Sequence, residues 1–299
     1  MPNPPPTHSL PEATRLTGDG LLGFLCPVRE GDQVWLAHRL DGNLNGRVFG
    51  GQLLAHAAWV GLASTPGRHL SSLRLGFLQG AKLDPALRWE ARPLQQGSRY
   101  STFELNCTQS QRMIATAQFT AQVPGQGFLH AQAAPQVPPP EDLPTLEDLE
   151  AHVQAQTGEP CALQSRPWLD LRLIDSHEFL LQPSSQPRIR YWLRVRDPLP
   201  DDPAVHGAAL AYLSDFWFNY ASLATHQGVA GARSQLYVAS LNHALWVYAP
   251  CRADDWLLFD VHSPRAGDGR GLAMGSLYDR GGRLVASVAQ EMACSLREP

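Results

Sequence analysis

One carboxylate interrupts the most apolar stretch of the chain. From Ala208 to Ala224 the sequence AALAYLSDFWFNYASLA carries a single charged side chain, Asp215, and its pattern predicts a helix of about five turns. At helical spacing Asp215 shares its face with Ala208, Ala211, Tyr212, Phe218 and Ser222, small and aromatic residues that point inward. An ionised group buried without partners costs several kcal/mol. The fold must therefore bring polar groups from elsewhere to Asp215, or give this helix a surface role.

The chain is large enough to bury such a helix. Its 299 residues are 43% hydrophobic and 17% charged, which suits one large core or two ordinary ones. A formal charge of -4 leaves no basic footprint for nucleic acid. No apolar run approaches the roughly 18 residues of a membrane span, so no membrane partner is expected. Five cysteines (Cys26, Cys107, Cys161, Cys251, Cys294) show no metal-ligand spacing and fit reduced thiols in a cytoplasmic protein. Residues 1–19 are rich in proline, lack an apolar core for a signal peptide, and read as a disordered lead-in. The final LREP matches no peroxisomal address.

The remaining pattern divides in two. Asp32 to Leu40 alternates like a strand, DGNLNGRVFGG supplies turn residues, and Gln52 to Ala63 is an apolar helix, with Phe49-Gly50-Gly51 at its N-terminus. Strand-like runs follow near Leu70–Leu78, Leu87–Pro93, Tyr100–Gln109 and Arg112–Val123. Residues 20–123 thus form a first unit. A Pro-rich linker over 124–167, with a short helix near Thr145–Gln156, leads to a second unit over 168–299. There, strands near Trp168–Leu173 and Ile189–Val195 precede the helix carrying Asp215, and runs near Gln235–Tyr248, Trp256–His262, Leu272–Tyr278 and Arg283–Ala293 follow it.

The same order of elements appears twice, and some letters coincide. An offset of 171 carries Arg112-Met113-Ile114-Ala115-Thr116 onto Arg283-Leu284-Val285-Ala286-Ser287, and an offset of 168 carries Ser72-Leu73 onto Ser240-Leu241. Chance likeness between strands is the alternative; the shared order favours duplication. Two α+β units, each an antiparallel sheet wrapped round one long helix and joined edge to edge, account for helices that are apolar nearly all round.

Strand periodicity then selects partners for Asp215. On the Arg283–Ala293 strand, Gln290 is the one polar member of the row Leu284, Ala286, Val288, Gln290, Met292. On Gln235–Tyr248, Ser240 and Asn242 share a row with Leu236, Val238, Ala244 and Trp246. Acid, hydroxyl and amide together suit the holding and polarising of one water. A buried polar cluster without chemistry has the same pattern.

Seven segments, in order from about Asp32 to Glu291, resemble the type II acyl-CoA thioesterases: GRVFGGQ (46–52), LPDD with His206, AYLSD (211–215), ASLNHALW (239–246), DWLL (255–258), GRG (269–271) and LVASVAQE (284–291). That resemblance implies a double hot-dog fold, an acyl-CoA substrate, no cofactor, and a water activated by Asp215, Ser240 and Gln290. General-base assistance of this kind is typically worth ~10²–10⁴-fold. Backbone amides around Gly50, Gly51 and Gln52 are the candidate oxyanion and substrate-binding donors, and Arg47, Arg74 and Arg270 the candidate contacts to coenzyme A phosphates. A homo-oligomer is compatible with the pattern. The sequence departs from the family at Asn242 (often Asp), at Ser71 and Arg74 (often His) and at Met292 (usually Gly), which bears on substrate range and activity. His243 belongs to the family pattern without an assigned step.

Two other readings remain. Asp201 and His206 have the spacing of the Asp and His in hot-dog enoyl-CoA hydratases, although the Asn-Pro of that motif is out of register. A non-catalytic acyl-CoA-binding protein is the second.

Overall fold

The computed structural model describes residues 20–158, 163, 166–174 and 178–296; the lead-in expected over 1–19 lies outside them. A one-turn helix α1 (Leu22–Leu25) leads into a hairpin of β1 (Val28–Gly31) and β2 (Val34–Ala37). Helix α2 (Gly50–Ala63) follows, then β3 (His69–Phe77), β4 (Leu87–Gln96), β5 (Tyr100–Gln109) and β6 (Arg112–Gln122). The connection carries α3 (Leu146–Thr157). The second round comprises β7 (Leu169–Leu173), α4 (Glu178–Leu181), β8 (Arg188–Val195), α5 (Pro203–Leu213), α6 (Tyr220–Leu223), α7 (Val229–Gln235), β9 (Leu236–Val247), β10 (Leu257–Gly267), β11 (Arg270–Asp279) and β12 (Leu284–Leu296).

All twelve strands join one sheet, and every neighbouring pair is antiparallel. Outward from the β3–β9 seam the order is β3-β6-β5-β4-β2-β1 on one side and β9-β12-β11-β10-β8-β7 on the other. The two wings are the same set of elements used twice, which is the double arrangement expected from the repeated order. Helices α2 and α5 lie side by side against the sheet. They run antiparallel: Gly51 at the start of α2 meets the Tyr212 carbonyl at the end of α5, and Gly207 near the start of α5 meets Leu62 near the end of α2. Each helix is enclosed by sheet and partner, so every residue from Gly51 to Leu62 is buried and no polar stripe is needed. The close approach requires glycine at 51, where a Cβ would stand 2.5 Å from Tyr212 O.

The helix predicted over 208–224 is shorter and broken. It starts earlier, with Pro203 in the first turn and the Asp202 carboxylate accepting the Ala204 N–H at 2.8 Å. It ends at Leu213; the chain then turns through 214–219, with Trp217 at φ +63°, before the single turn α6. No Gly or Pro lies between 208 and 224 to signal the break. Tertiary partners hold it: Tyr191 Oη of β8 donates to the Phe216 carbonyl at 2.7 Å. The Asp215 carboxylate is consequently presented at the end of α5 and not along a helix face.

The linker is packed. Ala134, Val137 and Leu143 cover a cluster of Trp192, Trp256, Leu258 and Tyr278 on the second unit, and Trp192 Nε1 donates to Pro138 O at 3.0 Å. Helix α3 is fixed at its start by a reciprocal capping box between Thr145 and Asp148.

Candidate active site

Asp215 meets Gln290 and Ser240 at the wall of a cavity of about 360 Å³. Gln290 Nε2 donates to Asp215 Oδ1 at 2.5 Å and to Ser240 Oγ at 2.8 Å, while Ser240 Oγ stands 3.5 Å from Asp215 Oδ1. Asn219 Nδ2 approaches Ser240 Oγ at 3.4 Å. Gln290 is fully buried and Asp215 keeps 8% of its surface. The cavity continues between the start of α2, the end of β3, the α5–α6 turn and the start of β9, with Leu53, Phe77, Trp217, Tyr220, Leu223 and Val238 among its apolar walls.

A bulge decides which groups reach Asp215. Along β9 and β12 the pairing runs Gln290 with His243 and Glu291 with Asn242, then jumps to Met292 with Ser240. The extra residue, Leu241, shifts the alternation by one. Ser240, His243 and Leu245 therefore share the inner face, and Asn242 turns outward to donate to Glu291 Oε2 at 2.9 Å. Strict alternation had placed Asn242 beside Ser240 and left His243 on the other side. In fact His243 is buried, with Nδ1 2.8 Å from Gln290 Oε1 and Nε2 2.9 Å from Ser214 Oγ. The matching bulge on β3 falls at Ser71, between Leu70 and Ser72. The counterparts of Ser240 and His243 are thus Leu70 and Leu73, at an offset of 170, and Ser72 is not the counterpart of Ser240. Leu73 pairs with Phe119 as His243 pairs with Gln290.

Burial raises the pKa of Asp215, and four groups oppose that shift. They are the Gln290 amide, the Gly51 N–H, the Arg166 cation and the Ser240 hydroxyl. Arg166 comes from the linker, where composition pointed only to a tether. Its Nε donates to Asp41 Oδ2 at 2.9 Å, and Tyr212 Oη donates to the same oxygen at 2.6 Å. Its guanidinium lies 4.3 Å from the centroid of the Phe49 ring and 5.5 Å from that of Phe216. The linker cation thus packs on the residues just before Gly50 and just after Asp215. Nothing in the linker's pattern distinguishes Arg166 from a solvated arginine.

The other expected groups separate. At the start of α2 the Gly51 N–H is directed at Asp215, and the Gln52 N–H at Phe49 O, 3.1 Å away. The Gln52 side chain faces away from the cavity: its amide donates to Phe24 O and Arg39 O and accepts from the Asp41 N–H. Gly50 lines the cavity, and a Cβ there would stand 2.8 Å from Asp215 Oδ2. Of the three candidate arginines Arg47 lines the cavity, and Arg74 and Arg270 do not. Arg74 lies outside over the Trp246 ring and bonds Gln118, and Arg270 pairs with Glu291 at 3.0 Å. Asp201 is exposed and paired with Arg252; His206 is buried and accepts the Ala253 N–H on Nδ1, on a different cavity. His56 reaches Phe24 O from within α2 at 2.8 Å. Among the described residues no group of three metal-ligating side chains forms, and no helix is long and apolar enough to cross a membrane.

A carboxylate, an amide and a hydroxyl in mutual contact beside a largely apolar pocket are able to hold and polarise one water. Comparison with known proteins supplies the class. The model of the acyl-CoA thioesterase N-terminal domain matches residues 40–122, and that of the acyl-CoA thioesterase C-terminal domain matches residues 139–294. The chain belongs to the acyl-CoA thioesterase II family, with two hot-dog domains, and is an acyl-CoA thioester hydrolase. Its relatives include human acyl-coenzyme A thioesterase 8, 30% identical over 260 residues, covering 82% of this chain and 79% of the human one. Acyl-CoA thioesterase 2 of Haemophilus influenzae is 28% identical over 250 residues, covering 82% and 86%. Among solved structures, the acyl-CoA thioesterase II TesB2 of Mycobacterium marinum superposes with a TM-score of 0.73 at 31% identity, covering 93% of this chain and 98% of that one.

Proposed function

We propose that this chain hydrolyses the thioester of fatty acyl-CoA to free acid and coenzyme A at one site per chain, using a water activated by Asp215. The acyl chain lies in the apolar cavity, with the thioester carbon at the Asp215 end. Asp215 accepts a proton from the water as the water oxygen attacks that carbon. Ser240 and Gln290 hold the water and the carboxylate in register. The carbonyl oxygen, taking up charge, faces Gly50, whose N–H lies in the first turn of α2, where helix donors lack intrahelical partners. The thiolate of coenzyme A leaves and takes up a proton. Arg47, at the cavity wall, is the contact for the phosphates of the nucleotide portion.

The observation that carries this reading is the contact of Gln290 Nε2 with both Asp215 and Ser240 at the wall of an apolar cavity. The placement of Asp201 and His206, each engaged elsewhere, speaks against hydration by that pair. A panel of saturated and enoyl acyl-CoAs, followed with a thiol reagent and by enoyl absorbance, tests it. Thiol release from saturated substrates is expected. Loss of enoyl absorbance without thiol would instead mark a hydratase, and binding without either change a non-catalytic protein.

A further inference from the structure

Resting on the reading of Asp215, Ser240 and Gln290 as the hydrolytic set, we propose that His243 is a positioning residue that locks the Gln290 amide with its nitrogen toward Asp215 and Ser240. A carboxamide has two orientations of nearly equal shape, exchanging its oxygen for its nitrogen. Only one serves here. With Nε2 inward, Gln290 donates to Asp215 Oδ1 and Ser240 Oγ; with Oε1 inward, two oxygens would meet at 2.5 Å.

His243 removes the second orientation. Its Nδ1 is 2.8 Å from Gln290 Oε1, and a carbonyl oxygen only accepts, so Nδ1 carries the proton. The neutral ring then has an acceptor at Nε2, 2.9 Å from Ser214 Oγ; that hydroxyl also lies 2.8 Å from the Ala211 carbonyl, and its one proton turns to Nε2 when Nδ1 carries the ring proton. Ser214 immediately precedes Asp215. A closed circuit results: Ser214 to His243, His243 to Gln290, Gln290 to Asp215, and back through one peptide unit. It ties the end of α5 to β9 and β12. The ring is buried, its hydrogen-bond partners among the described residues are the uncharged Ser214 and Gln290, and burial lowers its pKa to about 4, which keeps it neutral in the working range. The Leu241 bulge is what places His243 directly opposite Gln290 on the inner face. In the first unit the paired positions are Leu73 and Phe119, with no amide to orient.

The test compares three substitutions by kcat and KM for acyl-CoA on protein shown to be folded by its melting transition. His243→Asn keeps a donor near the Nδ1 position; His243→Leu keeps volume alone; His243→Gln carries its amide toward Ser214 instead of Gln290. A misoriented catalytic group costs roughly 10²-fold, so His243→Leu is expected to lower kcat by about that factor with KM unchanged, and His243→Asn to recover most of the loss. If Leu fails to fold, the contrast of Asn (active) with Gln (impaired) carries the same prediction. Equal kcat for Asn and Gln, or a folded Leu variant with the parent kcat, overturns the proposal. Asp215→Asn measured alongside separates the two readings. If it retains the parent rate, the hydrolytic set itself is wrong; if it is inactive while His243→Leu is not, only the role of His243 falls.

Discussion

At one place in the second unit, β9 and β12 turn Ser240, His243 and Gln290 toward the helix layer, whereas β3 and β6 of the first unit turn Leu70, Leu73 and Phe119 the same way. Bulge, pairing and strand order are alike on the two sides, so the scaffold does not dictate which side carries chemistry. Phe119 packs on α2 so closely that a Cβ at Gly61 would stand 2.3 Å from its ring. Its counterpart Gln290 reaches a carboxylate instead. One unit fills the position with ring carbon and gains packing; the other holds a polar set whose acid is raised in pKa by burial. On the proposed assignment, a duplicated fold keeps one side for stability and gives the other to a reaction that burial makes costly.

That contrast is broken most severely at the paired positions themselves. Gln290→Leu brings the second unit toward the first, and it should cut kcat by roughly 10²-fold or more because the water and the carboxylate lose their common donor. It should also lower the melting temperature, since Asp215 loses its nearest hydrogen bond; adding Asp215→Asn should restore stability without restoring turnover. Phe119→Ala is the mirror experiment. It should cost about 3–5 kcal/mol of stability while leaving kcat per folded molecule unchanged. Equal effects of the two substitutions on kcat would remove the distinction between the units.

How far the sequence carried these conclusions differs from element to element. The two apolar helices, the repeated order and the inward position of Gln290 were readable because each rests on periodicity over several residues. Ser240 was selected for its inward position, and the structure retains that. The row containing it was wrong beyond the bulge, which sent Asn242 out and brought His243 in. One extra residue inverts every later side chain, and no composition signal marks it. The offset of 168 failed for the same reason: it matched letters across bulged strands whose structural offset is 170. The break after Leu213 has neither Gly nor Pro to announce it. Arg166 lay in a stretch read as linker, and its role depends on contacts more than a hundred residues away in sequence, with Asp41.

Arg166 sharpens the comparison at an intermediate level. Arg166 lowers the pKa of Asp215, and it is itself held by Asp41 after β2, which also accepts from Tyr212 Oη on α5; Tyr191 on β8 feels the Asp215 charge in turn. Arg166→Met should therefore raise the Asp215 pKa and move the acid limb of kcat/KM to higher pH. Arg166→Lys should keep the limb near its original position. An unmoved limb in a folded Met variant would make the cation purely structural. The smallest effects belong to the surface arginines. Arg47→Ala should raise KM several-fold without changing kcat, as for loss of one phosphate contact, while Arg74→Ala and Arg270→Ala, placed away from the cavity, should leave KM alone.

The central claim, that turnover depends on the one carboxylate presented just past the apolar end of α5, is tested most directly by Asp215→Asn measured for rate and stability together. Asparagine keeps the shape and cannot accept the proton, so hydrolysis of acyl-CoA should fall by roughly 10²-fold or more. The sign of the stability change follows from the raised pKa. The folded protein holds that proton more tightly than the unfolded chain, so ionised Asp215 destabilises the fold above the ordinary carboxylate value of 3.8 and not below it. The variant should therefore melt higher than the parent at neutral pH, with the gain vanishing as the pH falls toward 3.8. An Asp215→Asn protein that hydrolyses acyl-CoA at the parent rate would contradict the account, whatever its melting temperature.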